Sequence, residues 1–278
     1  MQCETIDLYT YFSVERKGAT GGYLKTYAFE PSKEMSKRYF PAMLIFPGGG
    51  YRFLSDREGE PVALQFMAAE YQSFVLRYSL DTPHPAPLIE AAMAAAYIRE
   101  NAEKYFVRKD KLCTVGFSAG GHLAATLATM FDSEPVKSAL KQKAALARPD
   151  ANISSYAVIS TKEGVGHADS VSAITGGDHA LAALLSLEDR VNGKSVPSFI
   201  WHTGEDDCVP VQNALLFASA YAKAGVPFEL HVFEKGWHGL SVLNETVTNL
   251  PLPALPARAW LPLALRWLKS RDFTVVNA

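Results

Sequence analysis

Residues 112–122 read Leu-Cys-Thr-Val-Gly-Phe-Ser-Ala-Gly-Gly-His, so Gly116-Phe117-Ser118-Ala119-Gly120 follows a strand-like run and opens a helical one. A serine on so sharp a turn needs glycine two places before and two after, because larger neighbours would strike adjacent backbone. Its Oγ is pushed out at the strand end, and the following helix aims its N-terminal N–H groups at developing negative charge. That is an arrangement for nucleophilic attack on a carbonyl. A second element of the same chemistry lies upstream, where the apolar run Ala42–Phe46 ends in Pro47-Gly48-Gly49-Gly50-Tyr51. Consecutive glycines let unobstructed N–H groups approach a ligand, and Gly49 and Gly50, with the N–H of Ala119 after the serine, are the expected oxyanion donors.

A serine hydroxyl needs a base to remove its proton and a third group to orient that base. The strand-like run Ser198–His202 leads into Thr203-Gly204-Glu205-Asp206-Asp207-Cys208-Val209-Pro210, and Phe228–Phe233 leads into Glu234-Lys235-Gly236-Trp237-His238-Gly239. His238, on a glycine-flanked loop, is the expected base. The acid lies in the earlier turn, where the pattern alone leaves Glu205, Asp206 and Asp207 open. Of the other six histidines, His122 sits one helical turn beyond Ser118 and reads as packing, and His202 as a partner of the acidic turn. His84, His167, His179 and His231 carry no motif, and none combines with cysteine or carboxylate at zinc-ligand spacing, so neither a metal nor a cofactor is expected.

These residues need rigid elements to hold them. Strand-like runs, rich in β-branched and aromatic residues, recur at Tyr23–Phe29, Ala42–Phe46, Ser73–Tyr78, Leu112–Val115, Ser155–Ile159, Ser198–His202 and Phe228–Phe233. Helical spacing fills Pro61–Tyr71, Pro85–Tyr105, Ala119–Phe131, Val211–Ala224 and Pro256–Lys269. Strand alternating with helix predicts an α/β fold: a mostly parallel central sheet with helices on both faces. No linker or repeat divides the chain, so residues 1–278 read as a single domain. Segments 132–152, 161–195 and the proline-containing 244–256 are long connections that could carry lid or substrate-facing elements.

The composition fits a globular enzyme acting on a small molecule. An apolar fraction of 48% with 20% charged residues supplies a sizeable core. The 29 acidic and 27 basic residues, giving a net charge of −2 with no long run of either sign, leave no footprint for nucleic acid or an anionic membrane. The first residues lack a signal-peptide pattern, and no window is apolar enough to span a bilayer. Together with three unpaired-looking cysteines, Cys3, Cys113 and Cys208, this reads as a cytoplasmic protein with reduced thiols. Pro/Leu-rich loops and exposed aromatics could support a homodimer.

The chain resembles the α/β-hydrolase superfamily, and within it the compact acetylxylan-esterase-like carbohydrate esterases. The resemblance rests on Pro47–Tyr51, on Arg57-Glu58-Gly59-Glu60-Pro61-Val62-Ala63, on Pro87-Leu88 through Leu123, on Arg148-Pro149-Asp150 and on Lys235–Gly239, and covers most of residues 40–270. It implies the order nucleophile, acid, base found here, and it selects Asp206, four residues before the proline of an Asp-x-x-Val-Pro motif. One departure is Pro47, where the related lipase branch often has histidine before its glycines. The expected activity is hydrolysis of short-acyl carboxylic esters, acetyl esters of sugars among them, through an acyl-enzyme. The alternatives are a small peptidase of the same fold and a non-catalytic binding module.

Overall fold

The computed structural model describes every residue except 31–33, 35–37, 249–254 and 278. Its strands are β1 (Thr5–Asp7), β2 (Tyr23–Tyr27), β3 (Arg38–Phe46), β4 (Gln72–Arg77), β5 (Val107–Phe117), β6 (Ala151–Ser155), β7 (Ser198–Thr203), β8 (Phe228–Phe233) and β9 (Val276–Asn277). They form one sheet in the order β1-β2-β4-β3-β5-β6-β7-β8, with β9 paired to β3. The run from β4 to β8 is parallel, and the pairings β1–β2, β2–β4 and β3–β9 are antiparallel.

The helices are α1 (Leu8–Phe12), α2 (Glu60–Ala68), α3 (Ala86–Glu100), α4 (Ala102–Tyr105), α5 (Ser118–Met130), α6 (Glu134–Leu140), α7 (Ala168–Thr175), α8 (His179–Leu184), α9 (Gln212–Ala224) and α10 (Trp260–Lys269). Alternation along β3 explains their placement. Leu44 and Phe46 join a core with residues of α3 and α5, whereas Met43 and Ile45 point the other way into a core with residues of α2 and α10. Both sheet faces are therefore covered, which is why β3 reads as a continuous apolar run. Among the described residues no helix is long and apolar enough to cross a membrane.

One strand lies elsewhere than the apolar pattern suggests. The strand expected at Ser155–Ile159 is β6 at Ala151–Ser155, and only Ser155 is shared. Polar residues can occupy this central strand because they satisfy one another. Thr114 Oγ1 donates to Asn152 Oδ1 at 2.9 Å, Asn152 Nδ2 donates to Ser154 Oγ at 3.0 Å, and Trp201 Nε1 donates to Ser155 Oγ at 2.8 Å. The apolar run that follows leaves the sheet at Tyr156, whose φ is 35°. The long connections acquire helices of their own, α6 in the first and α7 and α8 in the second. Of 244–256, residues 249–254 lie outside the described residues, and Pro256 opens a 3₁₀ turn leading into α10.

Candidate active site

Four parallel strands end at the same edge, and the loop after each carries one of the expected groups. β3 leads to the glycine loop, β5 to Ser118, β7 to Asp206 and β8 to His238. The carboxyl edge of a parallel sheet is where such folds place their ligands.

Ser118 is the first residue of α5 and has a φ of 53°. Non-glycine residues rarely adopt this conformation, and close packing holds it. A Cβ on Gly116 would lie 2.2 Å from Gly120 O, and one on Gly120 would lie 2.2 Å from Phe46 O. The turn therefore closes only with glycine at both positions.

Ser118 Oγ is 2.8 Å from His238 Nε2, and His238 Nδ1 is 2.8 Å from Asp206 Oδ2. An ionised carboxylate only accepts, so the ring proton sits on Nδ1 and the Nε2 lone pair faces the hydroxyl. Asp206 Oδ1 accepts the N–H groups of Cys208 at 3.0 Å and Val209 at 2.9 Å. His202 Nε2 donates to Val209 O at 2.8 Å and lies 3.3 Å from Asp206 Oδ2. Burial pushes the Asp206 carboxyl upward, but hydrogen bonds from His202 and His238, the charge of His238 and the Val209 N–H outweigh it. The pKa ends well below the usual carboxylate range. Of the other acids in the turn, Asp207 is exposed and Glu205 accepts the Gly236 N–H at 3.3 Å. Only Asp206 reaches the imidazole.

The glycine loop runs beside the serine, since a Cβ on Gly48 would lie 3.0 Å from Ser118 Cβ. Tyr78 donates to Pro47 O at 2.6 Å, and Gly49 O accepts the N–H groups of Arg52 and Phe53. Gly49 has a φ of 126° and Gly50 one of 65°, and a Cβ on Gly49 would sit 2.1 Å from Phe53 O. Gly48 N–H is committed to Glu58 Oε2 at 2.8 Å. Gly49 and Gly50 donate to no acceptor among the described residues. Ala119, in the first turn of α5, has no acceptor within the helix.

Glu58 is a feature that sequence reasoning did not single out for chemistry. It is buried, and its Oε1 accepts from Tyr156 Oη at 2.7 Å; that hydroxyl in turn accepts the Ser241 N–H at 2.8 Å. The Tyr156 ring meets the His238 ring edge to face at 5.1 Å and Trp201 at 5.0 Å. One carboxylate thus ties the glycine loop to the wall behind the histidine. Burial raises its pKa, against hydrogen bonds from Tyr156 and Gly48 and the nearby His238. The partners lie 10 and 98 residues away in sequence, so no local pattern announces them.

His122 and Tyr51 have packing roles. His122 Nε2 donates to Leu185 O at 3.0 Å and Nδ1 accepts from Tyr51 Oη at 2.9 Å, while burial lowers the imidazole pKa to about 4. Tyr51 is fully buried, so Arg52 rather than Tyr51 reaches the pocket. That pocket, of about 240 Å³, includes Ser118, His238, Gly49, Gly50 and Glu58. Phe53, Arg57, His167, Asp169 and Cys208 complete much of its lining. Segment 161–195 contributes His167 and Asp169 at the start of α7, whereas none of 132–152 lines it. Burial and the carboxylates of Asp206, Asp207 and Asp169 raise the Cys208 thiol pKa, which suits a passive wall.

A mostly parallel sheet with helices on both faces and a serine on a strained strand-to-helix turn define an α/β hydrolase. The BD-FAE family model matches residues 29–221, and the chain belongs to that family. It is 41% identical over 211 residues to endo-1,4-beta-xylanase B of Butyrivibrio fibrisolvens, covering 73% of this chain and 33% of that protein. It is 29% identical over 208 residues to acetylxylan esterase of Xylanibacter ruminicola, covering 71% of this chain and 40% of that protein. The chain thus spans well under half the length of either curated relative. Among solved structures, an acetyl ester-xyloside bifunctional hydrolase from Caldicellulosiruptor lactoaceticus aligns with a TM-score of 0.80 at 37% identity, covering 91% of this chain and 89% of that one.

Proposed function

We propose that this chain is a serine esterase that hydrolyses short-acyl carboxylic esters, acetyl esters of sugars among them. The observation carrying the proposal is the His238 ring, bonded at 2.8 Å to Ser118 Oγ on one side and at 2.8 Å to Asp206 on the other. Ser118 Oγ attacks the acyl carbonyl carbon while His238 Nε2 takes its proton, and Asp206 holds the tautomer and stabilises the imidazolium. The charge building on the carbonyl oxygen is met by the N–H groups of Gly49, Gly50 and Ala119. Collapse of the tetrahedral adduct breaks the ester C–O bond, and His238 returns the proton to the departing alcohol oxygen. Water then attacks the acyl-enzyme through the same base, releasing the acid and restoring Ser118.

The small pocket and the buried Glu58 carboxyl in its lining favour a short acyl group, because a long alkyl chain would be pressed against a group that demands hydrogen bonds. The acetyl-ester hydrolases among the relatives support the same chemistry. The continuous sheet through the described residues supports a single domain.

Hydrolysis of p-nitrophenyl acetate, butyrate and octanoate, and of an acetylated xylo-oligosaccharide, tests the reading. Wild type should prefer acetate, and Ser118→Ala should lose on the order of a thousandfold or more. Folded wild type that cleaves none of these esters would refute it.

A further inference from the structure

His238 and Asp206 meet across two loops rather than across two strands. His238 sits between Gly236, with a φ of 142°, and Gly239, with a φ of 79°, and Asp206 lies in the turn between β7 and α9. The two backbone N–H groups that Asp206 Oδ1 accepts come from Cys208 and Val209, in that same turn. They fix the carboxylate within its turn and leave the turn itself to be placed. Among the described residues, the side chains that bond residues 206–209 from outside the turn are those of His238 and His202.

His202 has the fixed position that the turn lacks. It is the penultimate residue of β7 and pairs with Val232 of β8, while Thr203 beside it pairs with Phe233 and donates through Oγ1 to Gly236 O at 2.8 Å. The strand end that carries His202 is thus in register with the strand that leads to His238. Its Nε2, facing a carbonyl and a carboxylate that only accept, bears the ring proton and directs it between Val209 O at 2.8 Å and Asp206 Oδ2 at 3.3 Å. The side chains of His202 and Asp206 are both fully buried. The other ring nitrogen, Nδ1, is buried with no hydrogen-bond partner among the described residues. A side chain present only to fill space would be better apolar, since an unpaired buried acceptor carries a desolvation cost. What the imidazole supplies here is the proton on Nε2.

Resting on the esterase reading, we infer that His202 is a positioning residue of the reaction, a second histidine that acts through Asp206. Its single N–H bridges Val209 O, at the far end of the turn, and Oδ2, the carboxylate oxygen that His238 uses, and so ties both to the end of β7. Asp206 Oδ2 receives two imidazole N–H groups, one from the base it orients and one that keeps the acid where the base needs it. Loss of the bridge leaves the carboxylate bonded within its turn but lets the turn shift against His238, and a misplacement of about 1 Å in such a contact costs on the order of 100-fold in rate.

The test compares His202→Leu, which removes the donor, with His202→Gln, whose amide nitrogen can stand where Nε2 stood; His202→Phe replaces the leucine variant if that one does not fold. On p-nitrophenyl acetate the apolar variant should lose about tenfold or more in kcat with KM within about threefold of wild type, and His202→Gln should recover kcat to within about threefold. The second readout is a cycle with Asp206→Ala. A residue that acts through Asp206 has nothing left to position there, so the apolar substitution should change kcat by less than about twofold in that background, whereas a structural role costs the same factor in both. An apolar variant within about threefold of wild-type kcat, a glutamine variant no better than the apolar one, or equal losses in the two backgrounds overturns the inference. A folded wild type that cleaves no ester refutes the esterase reading itself and takes this inference with it, a result distinct from an active wild type that its His202 variants match.

Discussion

Replacing Asp206 by asparagine keeps the shape of the side chain and removes its charge, and the structure dictates how the amide must turn. Oδ1 accepts two backbone N–H groups, from Cys208 and Val209, so the amide oxygen has to stay there. The amide nitrogen then takes the place of Oδ2, 2.8 Å from His238 Nδ1. As a donor it forces Nδ1 to accept, which moves the ring proton to Nε2 and points an N–H at Ser118 Oγ. The base is then in the tautomer that cannot take the serine proton. Losses for this error are about 10⁴-fold in kcat, or roughly 5 kcal/mol of transition-state stabilisation. Steady-state kinetics on p-nitrophenyl acetate at pH 7 to 8 measures it, with Asp207→Asn as the neighbouring control, expected within about threefold of wild type as an ordinary surface substitution. Should Asp206→Asn keep more than a tenth of wild-type kcat, or should Asp207→Asn be the crippled variant, the orienting role of Asp206 is wrong.

Two further outcomes follow from the same coordinates. Glu58→Gln can keep an oxygen toward Gly48 N–H only by turning its amide nitrogen on Tyr156 Oη, which already accepts from Ser241 and then has no acceptor for its own proton. One orphaned buried donor costs about 1–3 kcal/mol, and kcat should fall through the displaced glycine loop. The raised folded pKa of Glu58 sets the sign of the pH dependence: the wild-type carboxyl carries no penalty below its unfolded pKa and an increasing one as pH rises from about 4 toward the folded value. Wild type should therefore lose stability relative to Glu58→Gln across that rise, and urea melts at pH 4, 6 and 8 showing the opposite trend would contradict the assignment. Far from the pocket, Arg99 donates to the carbonyls of Lys109, Leu146 and Arg148 and to Asp150 Oδ2, so Arg99→Ala should cost about 1.5–3 kcal/mol of stability, leaving the partly buried Asp150 carboxylate with only the Leu112 N–H. Calorimetry should show the drop in Tm while kcat at 25 °C stays near wild type, and an unchanged Tm contradicts the staple.

What could be read along the chain was whatever local sterics impose. A serine at a φ of 53° between Gly116 and Gly120 is a short-range necessity, because the clashing atoms belong to the same turn or to the adjacent strand end. The same holds for the run Gly48–Gly50 and for the apolar runs of β3, β5 and β7, whose burial on both faces writes itself into composition. The choice of Asp206 over its neighbours was different. The turn pattern left three acids open, family resemblance selected one, and the hydrogen bond to His238, 32 residues on, supplies the physical reason.

Tertiary structure alone decided the rest. β6 carries Asn152, Ser154 and Ser155 in the sheet centre because residues of β5 and β7 satisfy Asn152 and Ser155 and Asn152 in turn donates to Ser154, and an apolar pattern cannot register a polar strand that neighbours neutralise. Glu58 became the tie between the glycine loop and the His238 wall only when Tyr156, 98 residues away, arrived against it. His167 and Asp169, bare of any motif, reach the pocket because the start of α7 borders it. Backbone geometry is a property of adjacent residues and is legible in sequence, whereas the environment of a side chain is a property of distant ones and exists only once the chain has folded.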